Sequence, residues 1–146
     1  MSVATCTLSN GNLSLLSDLR AFSRIPFTHI FSAEDFGTYK PAPTVYRGAV
    51  EKVGKNIGEC VMVAAHLSDL KAAKQCGLQT IYVERPGEEN WSEDEVKKAR
   101  QEGWVDLWVG IEDGSRGFIT VAEKLGIDIP GDELMRTVSS SLPNMV

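Results

Sequence analysis

The chain has 146 residues, 42% hydrophobic and 24% charged, which is enough for one domain with its own core and too little for two. Fifteen Lys and Arg against 20 Asp and Glu give a formal charge of −5 with no basic block or stripe, which argues against nucleic acid or an anionic membrane as partner. The longest apolar runs, such as residues 60–65, fall far short of the roughly 20 that span a bilayer, and no charged segment and apolar stretch of a leader follow Met1, so a soluble, cytoplasmic protein is expected. Cys6, Cys60 and Cys76 are an odd set with wide spacing, suited neither to a disulfide framework nor to a metal knuckle, and are expected to be reduced and packed.

Residues 3–9 are β-branched and mostly apolar and end at Asn10-Gly11-Asn12, after which Leu13, Leu16, Leu19 and Phe22 recur at helical spacing. A strand, a polar turn and an amphipathic helix are predicted. Residues 29–32 form a second short strand, residues 33–42 a loop, and Pro43 opens a helix carrying Val45, Ala49 and Val53. Residues 60–65 are apolar throughout and predict a fully buried strand; Ser68 or Asp69 is the expected cap of the next helix, which Gly77 closes. A fourth strand at 79–83, a helix from Ser92 to about Arg100, a short strand at 107–109 and a helix at 117–125 complete the pattern.

Residues 1–129 are therefore expected to form an α/β domain with a parallel sheet covered on both faces, and residues 130–146, rich in Gly, Ser, Pro and Asn, a flexible tail. In such sheets ligands sit at the carboxyl ends of the strands, where this sequence places Ser9 and Asn10, Lys40, and His66, Ser68 and Asp69. A hydroxyl and an amide beside backbone N–H groups can hold a carboxylate or phosphate, a lysine can pair with an anion, and an aspartate can orient that lysine or a water. The plainer reading of Ser9, Asn10 and Asp69 as turn and cap residues stays open on local chemistry alone.

Three segments in this order resemble the haloacid dehalogenase superfamily, most closely its type II 2-haloacid dehalogenases. Thr7-Leu8-Ser9-Asn10-Gly11 is similar to the second conserved motif, Phe36-Gly37-Thr38-Tyr39-Lys40-Pro41 with Tyr46 to the third, and residues 62–70 with Ala72-Ala73 and Gly77-Leu78 to the fourth. The resemblance implies a three-layer Rossmann-like core. It also implies hydrolytic dehalogenation of a short 2-halocarboxylate through an aspartyl ester. On this chain it would make Lys40 and Asp69 catalytic, the first stabilising the nucleophile's charge and the second orienting Lys40 and the water. Ser9 and Asn10 would hold the substrate carboxylate, with Tyr46 and His66 lining the same cleft.

Asp69 stands without the extra carboxylates of phosphatase members, so chemistry without metal or cofactor is expected. No Asp-x-x-Gly-Thr segment ends an apolar strand here, and the helical cap inserted after that motif in the family has no counterpart. The first, central strand and the cap are thus expected to be missing, with residues 3–9 and 60–65 left to pair directly, to keep open edges, or to take a strand from another chain. The chain then reads as a truncated dehalogenase, inactive alone; the alternative is a non-catalytic module that binds a small carboxylate, forms a homodimer or pairs strands with a partner.

Other constellations carry less. Ser9, His66 and Asp69 lack a G-x-S-x-G elbow for a hydrolase triad, and residues 110–117 lack the lysine and spacing of a phosphate loop and read as a surface turn. His29 reads as packed, a zinc site lacks ligands, and Trp91, Trp104 and Trp108 read as core or a partner-facing patch.

Overall fold

A computed structural model describes residues 3–113 and 116–129. The tail at 130–146 lies outside the described residues, as do 114 and 115 within the glycine-containing turn. Among the described residues five strands and five α-helices follow in chain order. β1 (Cys6–Ser9) leads into α1 (Leu13–Ser23), β2 (His29–Ser32) into α2 (Pro43–Val53), and β3 (Val61–Ala64) into α3 (Leu67–Cys76). After β4 (Gln79–Val83) comes α4 (Glu93–Glu102), and after β5 (Leu107–Val109) comes α5 (Phe118–Lys124).

Local chemistry sets most boundaries. Asn12 caps α1 by accepting the Leu15 N–H at 2.8 Å, Pro43 starts α2 as predicted, and Ser92 with Glu95 forms a capping box on α4. α3 ends at Gly77, whose φ of +101° is closed to a β-carbon. Within the predicted loop 33–42 the structure adds a 3-10 turn, Ala33–Phe36, with its own capping box from Ser32 and Asp35. Phe36 packs on α2 at Gly48, where a Cβ would stand 2.6 Å from the ring, so the segment leading to Lys40 is seated against the helix that follows it.

All pairing is parallel, as expected, but the strands form two sheets. β1 pairs β2 with Ser9 opposite Ser32, and β3–β4–β5 form the second sheet with Ala64 opposite Tyr82. Among the described residues β1 and β3 are not hydrogen-bonded to each other, so one continuous sheet is absent and each keeps an unpaired edge. Leu8 of β1 and Met62 of β3 still meet in one apolar cluster with Tyr46 and Val50 of α2 and Ala73 and Cys76 of α3.

The second sheet has helices on both faces, giving three layers. On one face Tyr82 packs with Leu67 and Leu70 of α3 and Ala99 of α4; on the other Ile81, Val83 and Val109 meet Val121 of α5. Leu67 and Leu70 are fully buried, each contributing about 1.5–3 kcal/mol relative to exposure. β3 corrects the sequence reading: Val61 is exposed and the rest of the strand only half-buried. The physical reason is position, because α5 is short and touches β4, leaving β3 at the open margin of its sheet.

β4 and β5 are tied below the site by Asp106. Its Oδ2 accepts from the Thr80 N–H at 2.8 Å and the Thr80 hydroxyl at 3.1 Å, while Lys74 Nζ sits 2.7 Å from both oxygens. Burial alone would raise this carboxyl's pKa, but the Lys74 ammonium and the Thr80 donors outweigh it and hold the value low. Asp106→Ala takes the acceptor from the N–H of fully buried Thr80, leaves its hydroxyl only the Trp104 carbonyl at 3.3 Å, and is expected to cost about 2 kcal/mol in urea melts, Asp106→Asn about half that. The carboxylate's share of stability is present at neutral pH and disappears as acid protonates it below its ordinary range.

Candidate functional site

The three segments singled out in the sequence meet at the carboxyl ends of β1 and β3. Lys40 Nζ lies 2.5 Å from Asp69 Oδ2, and the Tyr46 hydroxyl donates to Asp69 Oδ1 at 2.5 Å. Lys40 and Asp69 keep only 15% and 16% of their side-chain exposure, so the pair is largely withdrawn from water yet open on one side. Tyr46 is fully buried, and its phenol pKa is pushed well up, first by burial and then by the Asp69 carboxylate beside it. The phenol therefore stays a donor and pins the aspartate.

Asp69 occupies the third position of α3, not its cap. His66 is the N-cap, and its side chain makes no capping bond, which corrects the expected role of Ser68 or Asp69. Freed from capping, the Asp69 carboxylate faces Lys40.

Asn10 is tied to the same lysine through the backbone. Its Nδ2 donates to the Lys40 carbonyl at 3.2 Å and its Oδ1 accepts the Lys40 N–H at 2.8 Å, across the cis Lys40–Pro41 segment. Both ends of the amide are thus engaged, and the residue expected to hold a substrate carboxylate here holds the lysine's loop. Ser9 accepts the Gly11 N–H at 3.0 Å, and Ser32 donates to the Gly11 carbonyl at 2.7 Å, so the β1 turn is fixed from both strands. The Ser9 hydroxyl keeps its proton for a further acceptor. Tyr46, expected to line the cleft, is instead a buried partner of Asp69.

Ser32 and Glu34, whose carboxylate accepts the Leu13 N–H at 2.8 Å, were not singled out in the sequence. A capping signal was present in Ser32-x-x-Asp35; nothing local announced the reach of Glu34 to α1. Asp35 precedes Gly37-Thr38, but its carboxylate caps the Ser32 N–H at 2.9 Å. The triad reading fails on geometry, since Asp69 serves Lys40 and Tyr46.

The other sequence candidates fall elsewhere. Trp91, Trp104 and Trp108 pack around Tyr82 and α3, and His29 stacks on Phe31 at 5.6 Å. A cavity of about 490 Å³ at the ends of β4 and β5, lined by Val83, Pro86, Val109 and Phe118 among others, contains none of the expected site residues. Among the described residues no three His, Cys, Asp or Glu side chains gather as a metal-binding group, and no helix is long and apolar enough to cross a membrane.

Parallel βα units define a Rossmann-like α/β domain, and the lysine–aspartate pair at its carboxyl edge is its candidate site. The chain belongs to the haloacid dehalogenase-like hydrolase family, whose model matches residues 4–83. It is 30% identical over 103 residues to (S)-2-haloacid dehalogenase 4A of Burkholderia cepacia, covering 69% of this chain and 45% of that one. Among solved structures it is similar to the L-2-haloacid dehalogenase PA0810, with 29% identity, a TM-score of 0.67, and coverage of 84% of this chain and 49% of the other. A HAD phosphatase from Thermococcus onnurineus gives a TM-score of 0.63 at 21% identity, covering 84% of this chain and 50% of that one, a likeness of fold alone. The chain spans about half the length of these relatives.

Proposed function

We propose that this chain carries the carboxylate-binding and lysine–aspartate half of a 2-haloacid dehalogenase site. The observation that supports the reading is the meeting of the three motif segments, with Asn10 clamping the backbone of Lys40 while Lys40 pairs with Asp69. In the complete reaction an aspartate oxygen attacks C2 of a short 2-haloalkanoate, the carbon–halogen bond breaks and halide leaves. Water then cleaves the ester to a 2-hydroxy acid. Lys40 would hold the nucleophile's charge, Asp69 would orient Lys40 and the water, and the Ser9 hydroxyl with the backbone N–H of Asn10 would hold the substrate carboxylate. His66, at the start of α3, would border the same substrate.

These 146 residues contain no Asp-x-x-Gly-Thr segment, and the chain by itself is read as inactive and metal-independent, in the cytoplasm. The unpaired edges of β1 and β3 are where a further parallel strand bearing the nucleophile would fit, whether from the same polypeptide or from a partner. The second reading, a non-catalytic carboxylate-binding or strand-pairing module, is favoured by the same edges.

The test is halide release and binding on the 146-residue protein with (S)-2-chloropropionate. The expected result is no halide release but measurable binding, weakened about tenfold by Ser9→Ala and by Lys40→Ala. Turnover would overturn the inactive reading, and binding indifferent to both substitutions would overturn the pocket assignment.

A further inference from the structure

α3 begins without help from its own first residues. His66 makes no side-chain capping bond, and Asp69 stands at the position from which an acidic residue ordinarily reaches back to close a capping box. Its carboxylate is committed to Lys40 and Tyr46 instead. The first helical N–H, that of Leu67, is nevertheless satisfied: Glu89 Oε2, from the loop after β4, accepts it at 2.9 Å.

Glu89 is itself firmly held. Its Oε1 accepts the N–H groups of Asn90 and Trp91 at 2.8 and 3.0 Å. A negative charge is thereby fixed at the helix N-terminus, where the macrodipole favours one. Trp91, next in the loop, takes Lys71 of α3 over its ring at 5.5 Å, so the loop grips the same helix twice.

We infer that Glu89 is a positioning residue for the Lys40–Asp69–Tyr46 cluster. By accepting the Leu67 N–H from another segment, it fixes the first turn of α3 and with it the place of Asp69, whose two oxygens go to Lys40 and Tyr46. Without it, the Leu67 N–H loses its acceptor, the first turn frays, and Asp69, two residues further on, loses its fixed place beside the lysine. The functional weight of this inference rests on the carboxylate-site reading above, whereas the placement of Asp69 does not.

The test reads the lysine directly. A ¹⁵N-edited spectrum of the 146-residue protein is expected to resolve the Lys40 ammonium, assigned by its loss in Lys40→Met, because pairing and burial slow its proton exchange. Glu89→Ala is expected to lose this signal, while Glu89→Gln, which keeps an oxygen for the Leu67 N–H, and Val121→Ala, which loosens the core under α5, keep it. Loss in both Glu89 variants with Val121→Ala intact also supports the inference and assigns the effect to the carboxylate's charge. Persistence of the signal in Glu89→Ala, or its loss in all three variants, overturns it. Titration with 2-chloropropionate separates the two readings: Glu89→Ala is expected to weaken binding about fivefold. If the ammonium signal goes and binding is unchanged, the carboxylate site fails and the positioning role stands.

Discussion

Asp69→Ala is expected to lower the unfolding free energy by about 3 kcal/mol, read as a shift of the urea midpoint with the m-value unchanged. Two losses combine. The Tyr46 hydroxyl, fully buried, is left without its acceptor, which alone costs about 1–3 kcal/mol. The Lys40 ammonium, 15% exposed, loses its counter-charge and must turn to water or remain partly desolvated. Asp69→Asn keeps an oxygen for Tyr46 and removes only the charge, so it is expected to cost about half as much. The Lys40→Met and Asp69→Asn pair, run as a double-mutant cycle, isolates the lysine–aspartate term; a coupling of about 1 kcal/mol or more is expected, and additivity would mean that the pair contributes contact without energy.

How far these contacts were legible in the sequence follows from how local their causes are. Pro43, the Ser92–Glu95 box and Gly77 act through neighbouring backbone, and they set the helix limits close to where the sequence put them. The convergence of Ser9, Asn10, Lys40 and Asp69 was legible too, since parallel βα topology sends every strand's carboxyl end to one edge. The partner each side chain chooses was not. Asn10 looks like a free ligand in Ser-Asn-Gly, yet the Lys40 backbone, 30 residues away, occupies both ends of its amide. Tyr46 looks like a cleft residue six positions after Lys40, yet the turn of α2 carries it into the core under Asp69. Glu89 lies in a stretch of acidic and polar residues with nothing to single it out, and only the folded loop brings it to α3. β3 misled by composition, because an apolar run predicts burial only if something covers it, and its sheet ends there.

The same buried phenols make the domain sensitive to alkali, and this is the second large effect expected. Tyr82 has its pKa pushed up to about 12, by burial first and then by the Glu89 and Glu84 carboxylates, against the opposing pull of Arg100. Tyr46 is raised further by burial and Asp69. Both folded values lie above the unfolded value near 10, so the stabilisation is complete below about pH 10 and is lost as pH rises toward the folded values. A raised group removes about 1.4 kcal/mol per pH unit in that window, so Tyr82 removes about 2 kcal/mol by pH 12 and Tyr46 adds to the loss, a large part of the stability of a small domain. In a Tyr39→Phe background, which removes the exposed phenol, unfolding and tyrosinate absorbance are therefore expected to appear together, in one cooperative step between about pH 11 and 12. In Tyr46→Phe the neutral stability falls, because Asp69 loses a donor, but the slope of stability against pH above 10 should halve. If the slope is unchanged in that variant, Tyr46 ionises without unfolding the protein, and its hydrogen bond to Asp69 cannot be what holds the aspartate in place.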